Sequence, residues 1–423
     1  MLYKSPNTSE NIAWFRLTAN QLYSDQFYQF VQDHLQDDPA LLLLKQRGID
    51  GVDLKEAVQQ IAARQKVAGK LPEWVANSRI LFPASLSLEQ SSSELTAKFK
   101  AQSTNGATLI DLTGGLGVDT FYMGQQFEKV VYLERQEALA RLAEHNFSIL
   151  NQSRTYYRVL AADSLSYLKE SEDTYDWLYV DPARRGADNS KLYKLSDCEP
   201  DILENWELLK GRADHIMVKA SPMLDIKAAL NEIPEIQEVT VLAVKNEVKE
   251  VLLVWHKGES GETKITAVDL KGDAEDRFVF TFTQEKDAEV DYSLPQQYLI
   301  EPNAALLKAG GFRSFASAYG LAKIHPNTHL YTSSDLPKEL PGRVFEIVEE
   351  IKLDKKVLKQ IFPSGKVNVL VRNHPMKPDV IKKKYALKDG GSDFLLAATT
   401  MDGKARAYWC RRMLYVKDGE IKG

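Results

Sequence analysis

The stretch D-L-T-G-G-L-G-V-D-T, from Asp111 to Thr120, constrains the fold of this chain more than any other. It follows the apolar run Ala107 to Ile110 and precedes a helical stretch. An apolar run that ends in an acidic residue and a glycine cluster predicts a buried strand, a tight turn and a helix start. Glycines suit such a turn because residues without a Cβ let the backbone bend sharply and come close to a ligand. The segment therefore predicts a loop for a nucleotide-type cofactor.

Two cofactor classes compete for it. A dinucleotide fold requires G-x-G-x-x-G, and here Gly115-x-Gly117 is followed by Thr120 where the third glycine would stand. Glu134 ends the strand-like run Val130 to Leu133 and serves ribose recognition in either case. Asp111 separates the classes. A carboxylate just before the glycines is awkward beside a pyrophosphate but suits a ligand with an ammonium group and no phosphate, as in S-adenosylmethionine (SAM).

The later motifs follow in a matching order. Ala161-Ala162-Asp163 ends the run Tyr157 to Leu160, and Asp176 to Val180 leads into Asp181-Pro182-Ala183-Arg184-Arg185. His215 to Lys219 then opens into Ala220-Ser221-Pro222. Successive strands of a doubly wound sheet deliver ligand-binding groups at their carboxyl ends. Asp111, Glu134, Asp163, Asp181 and Lys219 all take that position, which predicts one shared site in an α/β domain.

D-x-T-G-G-x-G, the acidic end of the second strand, A-A-D and D-P-A-R together resemble the class I SAM-dependent methyltransferases. Over its whole length the chain is similar to a bacterial subgroup with a ferredoxin-like insertion and a THUMP-like C-terminal domain. That match rests on the segments at 298–310 and 323–333 and on the basic end. The resemblance implies a Rossmann-like SAM methyltransferase sheet, a helical N-terminal region and C-terminal α+β domains. It also implies that Asp111, Thr113, Gly115 and Gly117 surround the methionine part of the cofactor. Glu134 would accept hydrogen bonds from the ribose hydroxyls and Asp163 one from the adenine amino group. An ionised carboxylate is an acceptor suited to both tasks, although Asp163 also stands where a helix cap would.

Asp181-Pro182-Ala183-Arg184 resembles the fourth motif of methyltransferases acting on planar nitrogens or base carbons, written D/N-P-P-Y/F/R. Ala183 replaces the second proline, and Arg184 takes the place of a stacking aromatic; it can stack through its guanidinium plane or grip phosphate. Methyl transfer from a sulfonium needs an oriented lone pair and a proton acceptor, so Asp181, Pro182, Arg184 and Lys219 are the catalytic candidates. Carbon methylation of pyrimidines needs a cysteine. Cys198 and Cys410 are the two cysteines, and neither stands at a strand end, so a nitrogen acceptor is expected.

Composition sets the remaining bounds. A length of 423 residues with 44% hydrophobic residues suffices for two to four domains. No apolar stretch approaches a membrane span, no signal core follows Met1, and no metal-ligand spacing is present, so a cytoplasmic enzyme without a metal is expected. Net charge is −5, but between Pro341 and Gly423 there are 18 Lys and Arg against 10 Asp and Glu, an excess of 8 that leaves −13 for the rest. A basic appendage on an acidic body predicts a nucleic-acid partner, here structured RNA of the tRNA or rRNA kind, met by Lys382, Lys383, Lys384, Arg411 and Arg412.

Four regions are expected. Residues 1–95 are helical, 96–258 form the methyltransferase domain, 259–340 a small ferredoxin-like α+β domain, and 341–423 a THUMP-like basic α+β domain. Val239 to Val244 and Val251 to Trp255 are expected as antiparallel late strands of the second region. The expected activity is methylation of a base nitrogen in RNA. The alternatives are a protein or small-molecule methyltransferase and a non-catalytic RNA-binding protein; oligomeric state is not legible.

Overall fold

The computed structural model describes residues 22–45, 50–83, 85–151, 155–184, 195–415 and 421–422. They fall into two compact units, one reaching Ile236 and including Leu253–Glu259, the other made of Gln237–Leu252 and the residues from Ser260 onward.

The first unit opens with α1 (Asp25–Asp33), α2 (Pro39–Lys45), α3 (Leu54–Val67), α4 (Pro72–Ala76), α5 (Ser85–Gln90) and α6 (Glu94–Gln102). Side chains of Ser24, Asp53 and Ser93 accept first-turn N–H groups and start α1, α3 and α6. Phe27, Phe30 and Val31 of α1 and Ala57, Val58 and Ile61 of α3 share one apolar core, as their helical spacing predicts. The inner end of α3 carries Arg64, 1% exposed. Its guanidinium donates to the carbonyls of Val75, Asn77, Ser78 and Ile80 at 2.5–3.2 Å and so folds the following segment around itself.

Then β1 (Gly106–Asp111), α7 (Val118–Gly124), β2 (Phe127–Glu134), α8 (Glu137–Leu150), β3 (Tyr156–Ala161), α9 (Ser164–Glu170) and β4 (Tyr175–Val180) follow. Two short strands, β5 (Ala183–Arg184) and β6 (Cys198–Glu199), pair antiparallel. Next come α10 (Trp206–Lys210), β7 (Ala213–Ala220) and α11 (Ile226–Glu232). The strands lie parallel in the order β3-β2-β1-β4-β7. A parallel sheet is covered on both faces, and Leu109, Ile110, Val130 to Leu133, Leu178, Val180, Ile216 and Val218 are accordingly almost free of solvent. Strand order reverses between β1 and β4, the place where open α/β sheets bind ligands.

β8 (Glu238–Val244), of the second unit, and β9 (Glu247–His256), whose residues from Leu253 onward are counted in the first, are sheet neighbours joined through Lys245 and Asn246, with φ of 51° and 65°. Two successive positive φ values are the hairpin geometry that matches strand twist, so the expected antiparallel pair is present. β10 (Lys264–Leu270) runs parallel to β8, and β11 (Glu275–Thr281) runs antiparallel to β10.

A separate sheet is built from later elements: α12 (Phe282–Asp287), β12 (Tyr298–Pro302), α13 (Ala304–Ala309), α14 (Phe312–Tyr319), β13 (Ala322–His325), β14 (Thr328–Ser333), β15 (Gly342–Ile351), α15 (Lys355–Ile361), β16 (Asn368–Arg372), α16 (Pro378–Tyr385), β17 (Asp393–Thr399) and β18 (Ala405–Tyr415). Its order is β13-β14-β12-β15-β18-β17-β16. Period-two alternation gives it two apolar faces. Leu395, Ala397 and Ala407 pack with Leu358 of α15 and Ile381 of α16, while Leu299, Phe345, Leu396, Tyr408 and Cys410 form the opposite face. The sheet curls, because Thr328 at the start of β14 donates to the Thr399 carbonyl at 2.9 Å and accepts from Asn373 at 3.0 Å. Among the described residues no helix is long and apolar enough to cross a membrane, and no cluster of His, Cys, Asp and Glu could hold a metal ion.

Replacing Arg64 by methionine leaves buried carbonyls without donors, each costing about 1–3 kcal/mol. Urea denaturation of Arg64→Met should show a loss of at least about 3 kcal/mol, and Arg64→Lys should recover only part because an ammonium lacks the planar fork. A loss below about 1 kcal/mol would show that the segment from Val75 to Ile80 is held by other contacts.

Candidate functional site

Asp111 ends β1 with 1% exposure. Its carboxyl accepts the Thr113 N–H at 2.8 Å, the Thr113 hydroxyl at 3.3 Å and the Thr120 hydroxyl. The loop is thus wound around the carboxyl that precedes it. Burial pushes the pKa of Asp111 up to about 7; the hydrogen bonds from Thr120 and Thr113 oppose that rise, and the nearby charges of Asp119 and Asp181 add to it.

Thr113 links two strand ends. Its hydroxyl oxygen accepts the N–H of Asp181 at 2.7 Å while contacting Asp111. The loop is also tied to β2, since the Gly115 N–H donates to Glu134 Oε2 at 2.9 Å and the Tyr132 hydroxyl donates to the Gly115 carbonyl at 2.6 Å. Glu134 Oε1 accepts the Gln136 N–H at 2.7 Å. Each oxygen keeps a second lone pair for a ligand hydroxyl. At Gly115 φ is +61° and a Cβ would find only the Thr113 carbonyl, 3.8 Å away. At Gly117 φ is +82°, and a Cβ would lie 2.6 Å from the Phe147 ring. The first glycine therefore leaves open backbone beside the Glu134 carboxylate, and the second permits close packing against α8.

Asp181 follows β4 and its carboxylate pairs with Lys219 from the end of β7. The Lys219 side chain is 12% exposed and also stands 3.7 Å from Asp119. Asp119, in the first turn of α7 and 8% exposed, accepts hydrogen bonds from Ser92 at 2.6 Å and Tyr179 at 2.7 Å. The fully buried Lys100 of α6 lies 3.1 Å from it. Burial alone would raise the pKa of Asp119, but the charges of Lys100 and Lys219 and the two hydroxyl donors overcome that and hold it down at about 2.

The structure joins Asp111, Thr113, Asp181 and Lys219 in one bonded network and Gly115 with Glu134 in a second, the glycine loop carrying a member of each. Asp163 stands apart as the N-cap of α9, its carboxylate accepting the Ser166 N–H at 2.9 Å and its pKa held down by that bond. Pro182 is buried and Ala183 exposed. The backbone of Arg184 pairs with Cys198 across the β5–β6 ladder, and Arg185 lies outside the described residues. That ladder places the buried Cys198 beside the D-P-A-R segment, a proximity that spacing along the chain does not reveal. Cys410 lies in the second unit, and burial pushes its thiol pKa well up.

Sequence reasoning missed Asp119, Lys100 and Tyr179. Asp119 was absorbed into the glycine loop, and the available signal was a lysine on the apolar face of α6, beside Thr96, Ala97 and Ala101. Of the basic candidates, Lys382 is paired with Asp379 at 3.1 Å and Asp389 at 2.8 Å, while Lys383 and Lys384 are exposed. Arg411 lies by the Trp409 ring, 5.6 Å from its centroid, on the face that α15 and α16 cover. Arg412, one residue on, belongs to the opposite face.

Several known proteins are similar to this chain. A ferredoxin-like domain family matches residues 298–341, and a THUMP domain-like family matches 342–412. An uncharacterized S-adenosylmethionine-dependent methyltransferase of Mycobacterium tuberculosis is 24% identical over 365 residues, 84% of this chain and 96% of that protein. The crystal structure of a candidate methyltransferase from Porphyromonas gingivalis W83 is 32% identical with a TM-score of 0.83, covering 92% of this chain and 97% of the other.

The Asp111 environment makes a pH prediction. Its folded pKa lies above the ordinary carboxylate value, so the folded state binds more protons and wild-type stability falls as pH rises from about 4 to about 7. Asp111→Asn removes that dependence. Compared by urea unfolding at pH 5 and pH 8, the variant should gain on wild type by on the order of 2–4 kcal/mol at the higher pH. An equal difference at both pH values would mean that Asp111 ionises normally.

Proposed function

The chain belongs to the SAM-dependent methyltransferases with ferredoxin-like and THUMP-like C-terminal domains, and from that premise we propose that it methylates a base nitrogen of structured RNA. The observation that carries the reading is Asp181, placed after β4 by the Thr113 hydroxyl and paired with Lys219 at the reversal of strand order.

The first-unit residues fit the cofactor. The carboxyl of Asp111, whose ionised form burial and the nearby carboxylates disfavour, is stabilised as a carboxylate by a neighbouring ammonium group, and the bare backbone at Gly115 admits close approach beside an acceptor. In this reading the loop from Asp111 to Gly117 surrounds the methionine part of SAM. Glu134 accepts from the ribose hydroxyls, and Asp163 accepts from the adenine amine with the lone pairs that capping leaves. Bound SAM supplies an electrophilic methyl on a sulfonium.

Asp181 accepts a hydrogen bond from the target amino group and so turns its lone pair toward that methyl. Transfer of that methyl would form the nitrogen–carbon bond, return the carbon–sulfur electron pair to sulfur and make the nitrogen proton acidic. Asp181 takes that proton. The Lys219 ammonium, paired with the Asp181 carboxylate, keeps it aimed, and a weak base suffices because a methylated base aminium is a strong acid. The Cys198 thiol is fully buried, which favours a nitrogen acceptor over carbon chemistry. The excess of 8 positive charges after Pro341 and the THUMP-like match support RNA as the partner.

Calorimetric titration and turnover on the true substrate separate the roles. Glu134→Ala should weaken SAM binding about ten- to a hundred-fold, from the loss of about 1.5–3 kcal/mol of charge-assisted hydrogen bonding. Asp181→Ala should leave SAM affinity near wild type and lower turnover at least ~100-fold. Comparable turnover in Asp181→Ala would refute its role, and unchanged SAM affinity in Glu134→Ala would remove that residue from the cofactor site.

A further inference from the structure

At one end of the curled sheet, on the face opposite α15 and α16, two guanidinium groups pair with a single carboxylate and a third stands on the same face beside them. Glu301 of β12 is 2% exposed. Arg343, its register partner on β15, donates through Nε at 2.9 Å and through Nη2 to Glu301 Oε2. Arg372, at the end of β16, pairs with Glu301 Oε1 and donates from Nη1 to the carbonyl of Val371 at 2.7 Å. β16 stands four positions from β12 in the strand order, so the curl of the sheet brings the two residues together. Arg412 of β18 lies opposite Phe345, two residues along β15 from Arg343 and on the same face.

The charges do not balance. Two guanidiniums already engage both oxygens of Glu301, and Arg412 has no carboxylate partner among the described residues. Partial burial and the like charge of Arg343 push the pKa of Arg412 down, with only Glu301 opposing them. Three cations and one anion leave an excess of two positive charges, in a cluster whose outer members are solvent-accessible. A network that served only to hold the sheet closed would be complete with Arg343, Glu301 and Arg372. Arg412 adds repulsion to it without a structural return.

We propose that Arg343, Arg372 and Arg412 form a binding site for a phosphoryl group, with Glu301 as the buried post that fixes two of the guanidiniums. A phosphoryl group carries about −1.5 to −2 charge near neutral pH and three acceptor oxygens, which matches the excess, and planar guanidiniums suit its geometry. The site is distinct from Lys382 to Lys384, which lie on α16 against the other face. It stands independently of the RNA reading, since a free phosphate-bearing compound presents the full phosphoryl group and an RNA backbone the related phosphodiester, with one negative charge and two free oxygens.

The test uses full-length protein, titrated calorimetrically with inorganic phosphate in chloride buffer at constant ionic strength. Wild type should bind saturably, Arg412→Ala at least about ten-fold more weakly, the scale of one charge-assisted contact, and Arg412→Lys in between. Lys359→Ala, at an exposed lysine of α15, should match wild type. Because Arg412 is exposed and outside the Glu301 ion pairs, the thermal midpoint of Arg412→Ala should stay near wild type. Anisotropy with a labelled single-stranded RNA identifies the source. Displacement of RNA by phosphate, with weaker RNA binding in Arg412→Ala, assigns the site to a polynucleotide phosphate. Loss of phosphate binding with RNA affinity unchanged or absent assigns it to a small phosphate compound. No saturable phosphate binding in wild type, or equal affinity in a stable Arg412→Ala, would overturn the proposal.

Discussion

A buried carboxylate between two lysines organises the catalytic unit. Asp119 sits 3.1 Å from Lys100 and 3.7 Å from Lys219, with Ser92 and Tyr179 both donating to its Oδ2. Removing water from three charged groups is costly, and such a cluster persists only when each charge faces an opposite one. The arrangement joins four parts of the chain: Lys100 in α6 with Ser92 just before it, Asp119 in the helix after the glycine loop, Tyr179 in β4, and Lys219 at the end of β7. Through Lys219 the cluster reaches Asp181, and through Thr113 Asp181 reaches Asp111. The helical region is therefore part of the site's electrostatics rather than a detached appendage.

Local patterns made part of this legible. The apolar runs ending in Asp111, Glu134 and Asp181 mark buried parallel strands, and the strand ends do fall on one edge of the sheet, because parallel strands separated by helices must point the same way. What stayed hidden depends on partners distant in sequence. Lys219 reads as a strand-end lysine in solvent until Asp181 and Asp119, 38 and 100 positions earlier, close around it. Asp163 carries the same strand-end signature as Glu134, yet its carboxylate turns to cap α9 whereas that of Glu134 turns to the glycine loop. Both are local acceptor choices that the residue type allows equally.

The second unit shows the same limit on charge reading. A count of Lys and Arg finds a basic segment, but a count has no faces. Alternation along β18 sends Arg411 toward Trp409 and Arg412 toward the Glu301 cluster, so two adjacent arginines serve different surfaces. Lys382 is neutralised by Asp379 and Asp389, one of them beyond the end of its helix. Of the candidate residues, Lys383 and Lys384 thus stand on an exposed helix edge and Arg412 beside arginines anchored by a buried glutamate.

The central claim is that Asp181 presents a base nitrogen of RNA to the methyl group of SAM. Its most direct test is to incubate purified protein with isotope-labelled SAM and total RNA from cells of the source organism lacking this protein, then digest the RNA and identify labelled nucleosides by mass spectrometry. The expected result is label on a nitrogen of one base, absent when Asp181→Ala replaces wild type. Label on a pyrimidine carbon, or none in RNA but transfer to protein or a small molecule, would contradict it.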